Sequence, residues 1–219
     1  GIILLVAYSL IDFKSIQKIS RSSKSEIAVL IITSISILFL DLQFAILLGV
    51  FFSLIFYLMR TSKPKVVSLA PNLIEGERKF MNVDLYQIQE CPQLHIIRID
   101  GSLFFGAVES IKNALYELSE TRKYILIIGS GINFIDVSGA EMLVAEAERL
   151  RSLGGGLYLS HLKKPVRDFL TEDYRAKIGE SHFFYSKETA IKEIYGMLEA
   201  QTCQSCRARI FNECNEHPK

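Results

Sequence analysis

Four side chains that can bind a soft metal ion lie within fifteen residues near the end of the 219-residue sequence. Cys203 and Cys206 form a C-x-x-C pair, and Cys214 and His217 form a C-x-x-H pair. Both spacings are typical of zinc ribbons, in which thiolates and imidazoles hold the metal. Cys91 is expected to stay apart from this cluster. Three interpretations remain open for the tail: a zinc site, thiol chemistry or lipidation near a membrane, and a disordered tail without a specific role.

A second candidate site is the D-x-S-G sequence that contains Asp136, Ser138 and Gly139. It lies between a predicted strand and a predicted helix. Ser138 and Glu141 have the S-x-x-E spacing of a capping box, in which the hydroxyl accepts a hydrogen bond from a helix N–H group and the carboxylate reaches back to the cap. A regulated loop that contacts a protein partner is the alternative interpretation.

The remaining polar residues show no pattern that indicates catalysis. His95, His161 and His182 lie in or beside predicted strands, without a nucleophile or carboxylate at a catalytic spacing. Gly129 and Gly131 lack the third glycine and the acidic residue of a dinucleotide-binding fingerprint. We therefore expect no enzyme activity and no required cofactor, with zinc in the tail as the one candidate.

Residues 27–59 form an apolar run in which Asp41 is the one ionisable residue. A single helix of this length would be roughly 50 Å long, against a hydrocarbon core of about 30 Å. The run therefore predicts a transmembrane helical hairpin with limbs at 27–40 and 42–59 and a polar turn at membrane depth. Asp41 is either a turn residue that caps the second limb or a functional intramembrane acid.

Basic residues flank both ends of this hairpin, so both flanks are predicted to be cytoplasmic. Residues 12–26 form the preceding basic loop, and residues 60–78 are a predicted linker, of which residues 61–76 could instead be a first extended segment. Residues 1–11 are apolar but too short to span a membrane, and we expect them to be the end of a transmembrane helix that begins upstream. The net charge of +1, with basic residues concentrated at the membrane flanks, gives no support for nucleic-acid binding.

Residues 79–200 alternate between strand and helix patterns, which predicts a mainly parallel or mixed sheet with helices packed on it. The predicted strands are 80–86, 94–99, 124–128, 157–160 and 183–185, and the predicted helices are 105–119, 138–153, 165–170 and 187–200. Residues 201–219 form the cysteine-rich tail. The fold class is thus a helical membrane hairpin followed by an α/β domain.

Three stretches of this domain resemble the STAS domain of anti-sigma-factor antagonists and of SulP anion permeases. They read IIRIDGSLFFGAVESI, LIIGSGINFIDVSGAEML and LGGGLYLSHLKKPVRDFL. The preceding LIDFKSIQKISRSSKSE and LDLQFAILLGVFFSLIFYLMRTSKP resemble the last membrane segments of a SulP permease. The order of hairpin, linker and STAS domain makes the resemblance specific to the C-terminal portion of a SulP permease.

The resemblance implies a secondary transporter for sulfate, a related oxyanion, bicarbonate or chloride in the inner (plasma) membrane. The STAS domain would be a cytoplasmic regulatory or scaffold module. It implies contacts with membrane lipid, a homodimer and a protein partner, with the substrate-binding residues in a region upstream of this sequence. An alternative is a membrane-tethered STAS signalling module, in which phosphorylation at the position of Ser138 switches partner binding, as in the antagonists.

Overall fold

The computed structural model describes residues 12, 14, 17, 24–74 and 77–216. These fall into two compact units that divide between Arg60 and Thr61. The predicted helix end at residues 1–11 and most of the predicted loop at 12–26 lie outside the described residues.

The first unit contains a hairpin of two helices, α1 (Lys24–Phe39) and α2 (Leu42–Thr61). The chain breaks at the predicted polar turn, and the carbonyl of Asp41 accepts the first hydrogen bond of α2, from Ala45, at 3.1 Å. The helices approach closely at Gly49, where an added Cβ would lie 2.7 Å from the Thr33 hydroxyl. Small residues permit such close helix contacts.

Of the described helices, α2 alone is long and apolar enough to cross a membrane. Helix α1 has 16 residues, so it is roughly 24 Å long. Many apolar side chains of both helices are exposed, whereas Ala45 and Gly49 are buried. The structure contains the predicted helical hairpin, but a second membrane-crossing limb is not confirmed.

The second unit is built on one mixed sheet with the strand order β2-β1-β3-β4-β6-β7. Strand β1 is antiparallel to β2 and β3, while β3, β4, β6 and β7 are parallel, and β5 pairs with the end of β3. The strands are β1 (Lys65–Ile74), β2 (Glu77–Asn82), β3 (Leu94–Leu103), β4 (Tyr124–Ile128), β5 (Ile132–Ile135), β6 (Gly156–Ser160) and β7 (Phe183–Phe184).

Helices cover both faces of this sheet, as the sequence predicts. They are α3 (Val83–Tyr86), α4 (Phe105–Ser119), α5 (Val137–Ser152), α6 (Lys164–Phe169), α7 (Glu172–Ile178), α8 (Lys187–Met197), α9 (Ala200–Ser205) and α10 (Glu213–Glu216). Side chains alternate between the two faces along each strand. Ile125 and Ile127 pack with α4 and α5, whereas Leu126 and Ile128 pack with α8. The α/β fold with a mixed sheet is therefore confirmed.

The interval 60–78, which the sequence predicts to be a linker, contains the whole of β1 and the start of β2. Val66 and Val67 suit a strand because they are β-branched. Pro71, which has no N–H group, is tolerated because the pairing of β1 with β3 ends at Leu69. Strand β3 therefore needs no hydrogen bond from position 71. The predicted strand at 80–86 instead ends at Asn82, whose side chain caps α3 by accepting from the N–H of Leu85 at 3.0 Å.

The described part of the tail, residues 201–216, packs on the second unit. Phe211, between α9 and α10, has 1% of its surface exposed and belongs to the apolar cluster beneath α8. The tail is thus part of the packed structure on that face of the sheet.

Candidate functional site

The first candidate site is the loop between β5 and α5. Asp136 has extended backbone angles and is the N-cap of α5, with Oδ1 accepting from the N–H of Gly139 at 2.8 Å. The predicted capping box at Ser138 is therefore wrong, because helical geometry begins at Val137 and places Ser138 in the first turn. Aspartate is a strong N-cap, since its carboxylate accepts hydrogen bonds from otherwise unpaired N–H groups.

The same loop is joined to the end of β3. The N–H of Asp136 donates to the carbonyl of Leu103 at 3.0 Å, and Oδ2 of Asp136 accepts from the N–H of Phe105 at 3.0 Å. A Cβ on Gly139 would lie 2.3 Å from the Leu103 carbonyl oxygen. Asp136 and Gly139 therefore fix the position of the α5 N-terminus against the sheet, and only glycine fits at position 139.

Ser138 has a different environment. Its side chain is half-buried, and its hydroxyl makes no hydrogen bond within the described residues. Three apolar side chains at the starts of α4 and α5 and in β5 are exposed: Phe105 by 78%, Phe134 by 55% and Val137 by 53%. A phosphate on this hydroxyl would stand in the first turn of a helix, where N–H groups and the helix dipole favour negative charge. The geometry is compatible with a modified or partner-binding residue.

The second candidate site is the group of cysteines. Cys203 lies in α9, Cys206 directly follows it, and Cys214 lies in α10. Contrary to the sequence-based expectation, Cys91 joins them: it has 7% of its surface exposed and belongs to the apolar cluster against which Cys203 and Cys214 pack. His217, the fourth predicted ligand, lies outside the described residues.

The side chain of Gln93, which lies between β2 and β3, forms hydrogen bonds with the start of the tail. Its side chain accepts from the N–H of Glu199 at 2.8 Å and donates to the Glu199 carbonyl at 3.2 Å. The Gln93 amide also donates to Sγ of Cys203 at 3.3 Å, and its backbone N–H donates to Sγ of Cys91 at 3.5 Å. One residue thus contacts a thiol from the domain and a thiol from the tail.

The pKa values of two of these thiols are raised. Burial raises the pKa of Cys91 to about 11, and nearby Cys206 and Cys203 add to that rise. Burial also raises the pKa of Cys214, again with contributions from Cys203 and Cys206. Within the described residues, no three cysteine, histidine or carboxylate side chains are arranged as metal ligands, so the thiols lie together without forming a ligand shell.

The three histidines of the α/β domain have structural contacts. His95 is buried, with Nδ1 2.6 Å from an Arg122 nitrogen and 3.6 Å from Glu90. His182 contacts the Leu157 carbonyl at 2.9 Å. The backbone N–H of His161 donates to the Phe184 carbonyl at 3.3 Å, whereas its buried ring Nδ1 has no hydrogen-bond partner among the described residues. Sequence reasoning missed the ion pair of Glu90 with Arg122, because 32 positions separate its members and no spacing marks it.

Comparisons with known proteins agree with this architecture. Residues 82–190 match the family model of the STAS domain. The chain is 30% identical over 230 residues to the sulfate transporter of Equus caballus and 24% identical over 230 residues to that of Homo sapiens. Each of these alignments covers 85% of this chain and 31% of the relative. The murine Slc26a9 anion transporter in the inward-facing state superposes with a TM-score of 0.74 at 20% identity, covering 88% of this chain and 32% of that one.

The α/β unit is therefore a STAS domain. The alignments with sulfate transporters cover more of the chain than this unit contains, so they extend into the preceding helices. The chain therefore corresponds to the C-terminal, STAS-containing portion of a SulP-family protein. It spans about a third of the length of the curated relatives it matches.

Proposed function

We propose that this chain is part of a SulP secondary transporter for sulfate or a related anion, with the STAS domain as its cytoplasmic regulatory and scaffold module. The observation that carries the proposal is the direct connection of the two units. Only residues 62–64 separate the 20-residue apolar helix α2 from β1, the first strand of the STAS sheet. So short a connection ties the domain to the membrane segment.

The path of the anion is assigned to the longer protein rather than to this chain. An alternating-access carrier needs two repeats that meet around a site near the membrane midplane. The described helices of the first unit form one hairpin, which is too little to enclose such a site. We expect α1 and α2 to pack against further helices, because many of their apolar side chains are exposed.

The side of the membrane follows from charge. Arg60, Lys63 and Lys65 adjoin the end of α2, and basic residues are retained on the cytoplasmic side. The STAS domain would therefore lie in the cytoplasm, beneath the inner (plasma) membrane. We expect the assembled protein to be a homodimer, to contact lipid and to have no enzyme activity.

One observation favours a second function. The Ser138 hydroxyl makes no hydrogen bond within the described residues, and exposed Phe105, Phe134 and Val137 adjoin its loop. This arrangement would suit a membrane-tethered STAS signalling module that phosphorylation switches. Pulldown from cytoplasm with wild type, Ser138→Ala and Ser138→Asp tests it. Altered partner binding by the Asp variant supports the switch, and identical binding by all three leaves Ser138 without that role.

The coding sequence and an uptake measurement test the transporter proposal. We expect about ten further hydrophobic segments upstream of residue 1, enough for the two repeats. Cells that express that longer protein should take up labelled sulfate, bicarbonate or chloride faster than cells that express this chain alone. A start codon immediately before this sequence would contradict the proposal and favour the tethered module.

A further inference from the structure

We propose that the STAS domain binds a small tetrahedral oxyanion, sulfate or inorganic phosphate, in a cavity lined by His161, Arg167 and Arg175. The cavity has a volume of about 130 Å³. This is the room that about four water molecules take in the liquid, which suits a single small ion and is too little for a nucleotide. Every residue that lines the cavity belongs to the second unit, so the inference does not depend on the proposed transport function.

The connection from β6 to β7 supplies the basic residues of this cavity. His161 directly follows β6, Arg167 lies in α6, and Arg175 lies in α7. Strands β6 and β7 are parallel and end side by side, with Ser160 paired to Phe184. The carboxyl ends of parallel strands are where open α/β sheets commonly bind ligands. The fold thus gathers three basic side chains at such an end.

Two nitrogen atoms of these side chains are buried without a partner. They are Nδ1 of His161 and Nε of Arg175, neither of which has a hydrogen-bond partner among the described residues. A buried polar group without a partner costs free energy, and the cost is greater when the group is charged. Within the described residues, no carboxylate forms an ion pair with Arg167 or Arg175. Their N–H groups are therefore available to an anion.

Aromatic rings hold both guanidinium groups in place. Cζ of Arg175 lies 4.9 Å from the centroid of the Phe183 ring, and Cζ of Arg167 lies 5.4 Å from that of the Tyr185 ring. Stacking occupies the flat face of a guanidinium group, whereas its N–H donors point outward in the plane of the group. A planar set of donors held in this way matches the oxygens of sulfate or phosphate. Little side-chain entropy remains to be lost when the ion binds.

His161 has a backbone conformation that is unusual for a residue with a Cβ. Its φ of 52° lies in the left-handed region. Residues in this region cost free energy and cluster at binding sites, where the fold has to position their side chains. Burial and the charge of Lys187 lower the pKa of His161, whereas Glu188 acts in the opposite direction. Positive charge therefore extends beyond the two arginines.

Glu180 is the one carboxylate among the residues that line the cavity. Its side chain is exposed, so water screens its charge. Its negative charge should still weaken the binding of an anion. Removal of this charge is therefore expected to have the opposite effect from removal of an arginine.

Equilibrium dialysis of the full chain in detergent, with radiolabelled sulfate and with radiolabelled phosphate, measures the binding. The ionic strength is held constant with sodium chloride. We expect saturable binding of about one ion per chain, with unlabelled phosphate displacing sulfate and a tenfold excess of chloride failing to do so. The absence of saturable binding of both ions would overturn the proposal, and so would displacement by chloride at equal concentration.

Substitution of the arginines locates the site. Arg167→Gln and Arg175→Gln should each lower the affinity for sulfate at least tenfold, because charge-assisted hydrogen bonds are lost. Arg175→Lys should lie between Arg175→Gln and wild type, because lysine keeps the charge without the planar set of donors. Arg207→Gln is the matched control, since Arg207 is exposed in the tail and does not line the cavity. Equal affinities of Arg175→Gln and Arg207→Gln would overturn the assignment.

Glu180→Gln separates loss of the site from misfolding. It should raise the affinity for sulfate about two- to fivefold, because an exposed negative charge beside the bound ion is removed. A damaged fold cannot produce such a gain. An affinity of Glu180→Gln below that of wild type, in a protein with the circular dichroism spectrum of wild type, would overturn the proposed position of the ion.

Discussion

The carboxylate of Asp136 accepts a hydrogen bond from the backbone N–H of Phe105, with 3.0 Å between Oδ2 and the nitrogen. Its other oxygen accepts from Gly139, in the first turn of α5. Phe105 is the first residue of α4, so one side chain satisfies N–H groups at the starts of two helices. The starts of the two helices are thereby held together at the carboxyl ends of β3 and β5. Ser138 takes no part in that contact.

Asp136→Ala is expected to lower the free energy of unfolding of the second unit by about 2 kcal/mol, because it removes a helix cap and a second hydrogen bond. Ser138→Ala, the matched control two residues away, should change it by less than about 0.5 kcal/mol. Urea unfolding of the full chain in detergent, followed by near-UV circular dichroism, measures both. An equal loss in the two variants would restore Ser138 as the cap.

Gly139→Ala should destabilise the domain by roughly 2 kcal/mol or more, because the new methyl group would meet the Leu103 carbonyl oxygen at 2.3 Å. Gly196→Ala is the matched control: position 196 is helical and exposed, and nothing lies within 4 Å of an added Cβ. That variant should be stabilised by about 0.5–1 kcal/mol. The same urea unfolding compares them, and a Gly139→Ala protein as stable as wild type would contradict the close approach of α5 to β3.

The α/β domain was largely predictable because its signals are local. Buried strands such as Tyr124–Ile128 are continuous apolar runs, and the helix at Phe105–Ser119 shows its apolar face at helical spacing. Strand β5 was missed because it has four residues, two of them exposed, and pairs only with the end of β3. The N-cap was misplaced by two residues because Asp136 and Ser138 are both good caps, and only tertiary contacts decide between them.

The cysteine cluster was only partly predictable for a different reason. The C-x-x-C spacing places Cys203 and Cys206 three positions apart in the sequence. No local sequence pattern connects Cys91 to them. That proximity arises from the burial of Phe211 and the contacts of Gln93, which close a loop of more than 100 residues. Pairings over such distances depend on the folded sheet and are not visible in spacing.

Stability at acid pH is expected to depend on Glu90. His95, whose Nδ1 lies 3.6 Å from one carboxylate oxygen, and Arg122, at 2.9 Å from the other, hold the pKa of the Glu90 carboxyl below its usual value. A carboxyl whose pKa is lower in the folded state stabilises the fold at pH values above its unfolded-state pKa, near 4.3. This contribution is lost as the pH falls through the folded-state pKa.

Glu90→Gln should therefore be less stable than wild type at neutral pH, by about 2 kcal/mol, because hydrogen bonds to a charged group are lost. The difference should shrink as the pH falls below about 4.3. Urea unfolding at a series of pH values measures this. A difference that stays constant from neutral to acid pH would contradict the role of the charged carboxylate.

The hairpin should place both of its ends on the cytoplasmic side. We expect single cysteines at Ser25→Cys and Ser62→Cys to react with a membrane-impermeant maleimide only after the cytoplasmic face is opened, because basic residues flank both helices. Mass spectrometry of the labelled peptides separates these sites from the native cysteines. Labelling of one position from outside and the other from inside would contradict the two-limb arrangement.

Anion uptake into liposomes tests the proposed transport function most directly. The longer protein that contains this chain and the chain alone are reconstituted separately, and uptake of labelled sulfate, bicarbonate and chloride is measured. We predict uptake of at least one of these anions by the longer protein and none by the chain alone, because a single hairpin cannot enclose a midplane site. Uptake by the chain alone would contradict its assignment as a scaffold and regulatory portion, and no uptake by the longer protein would contradict the transporter function itself.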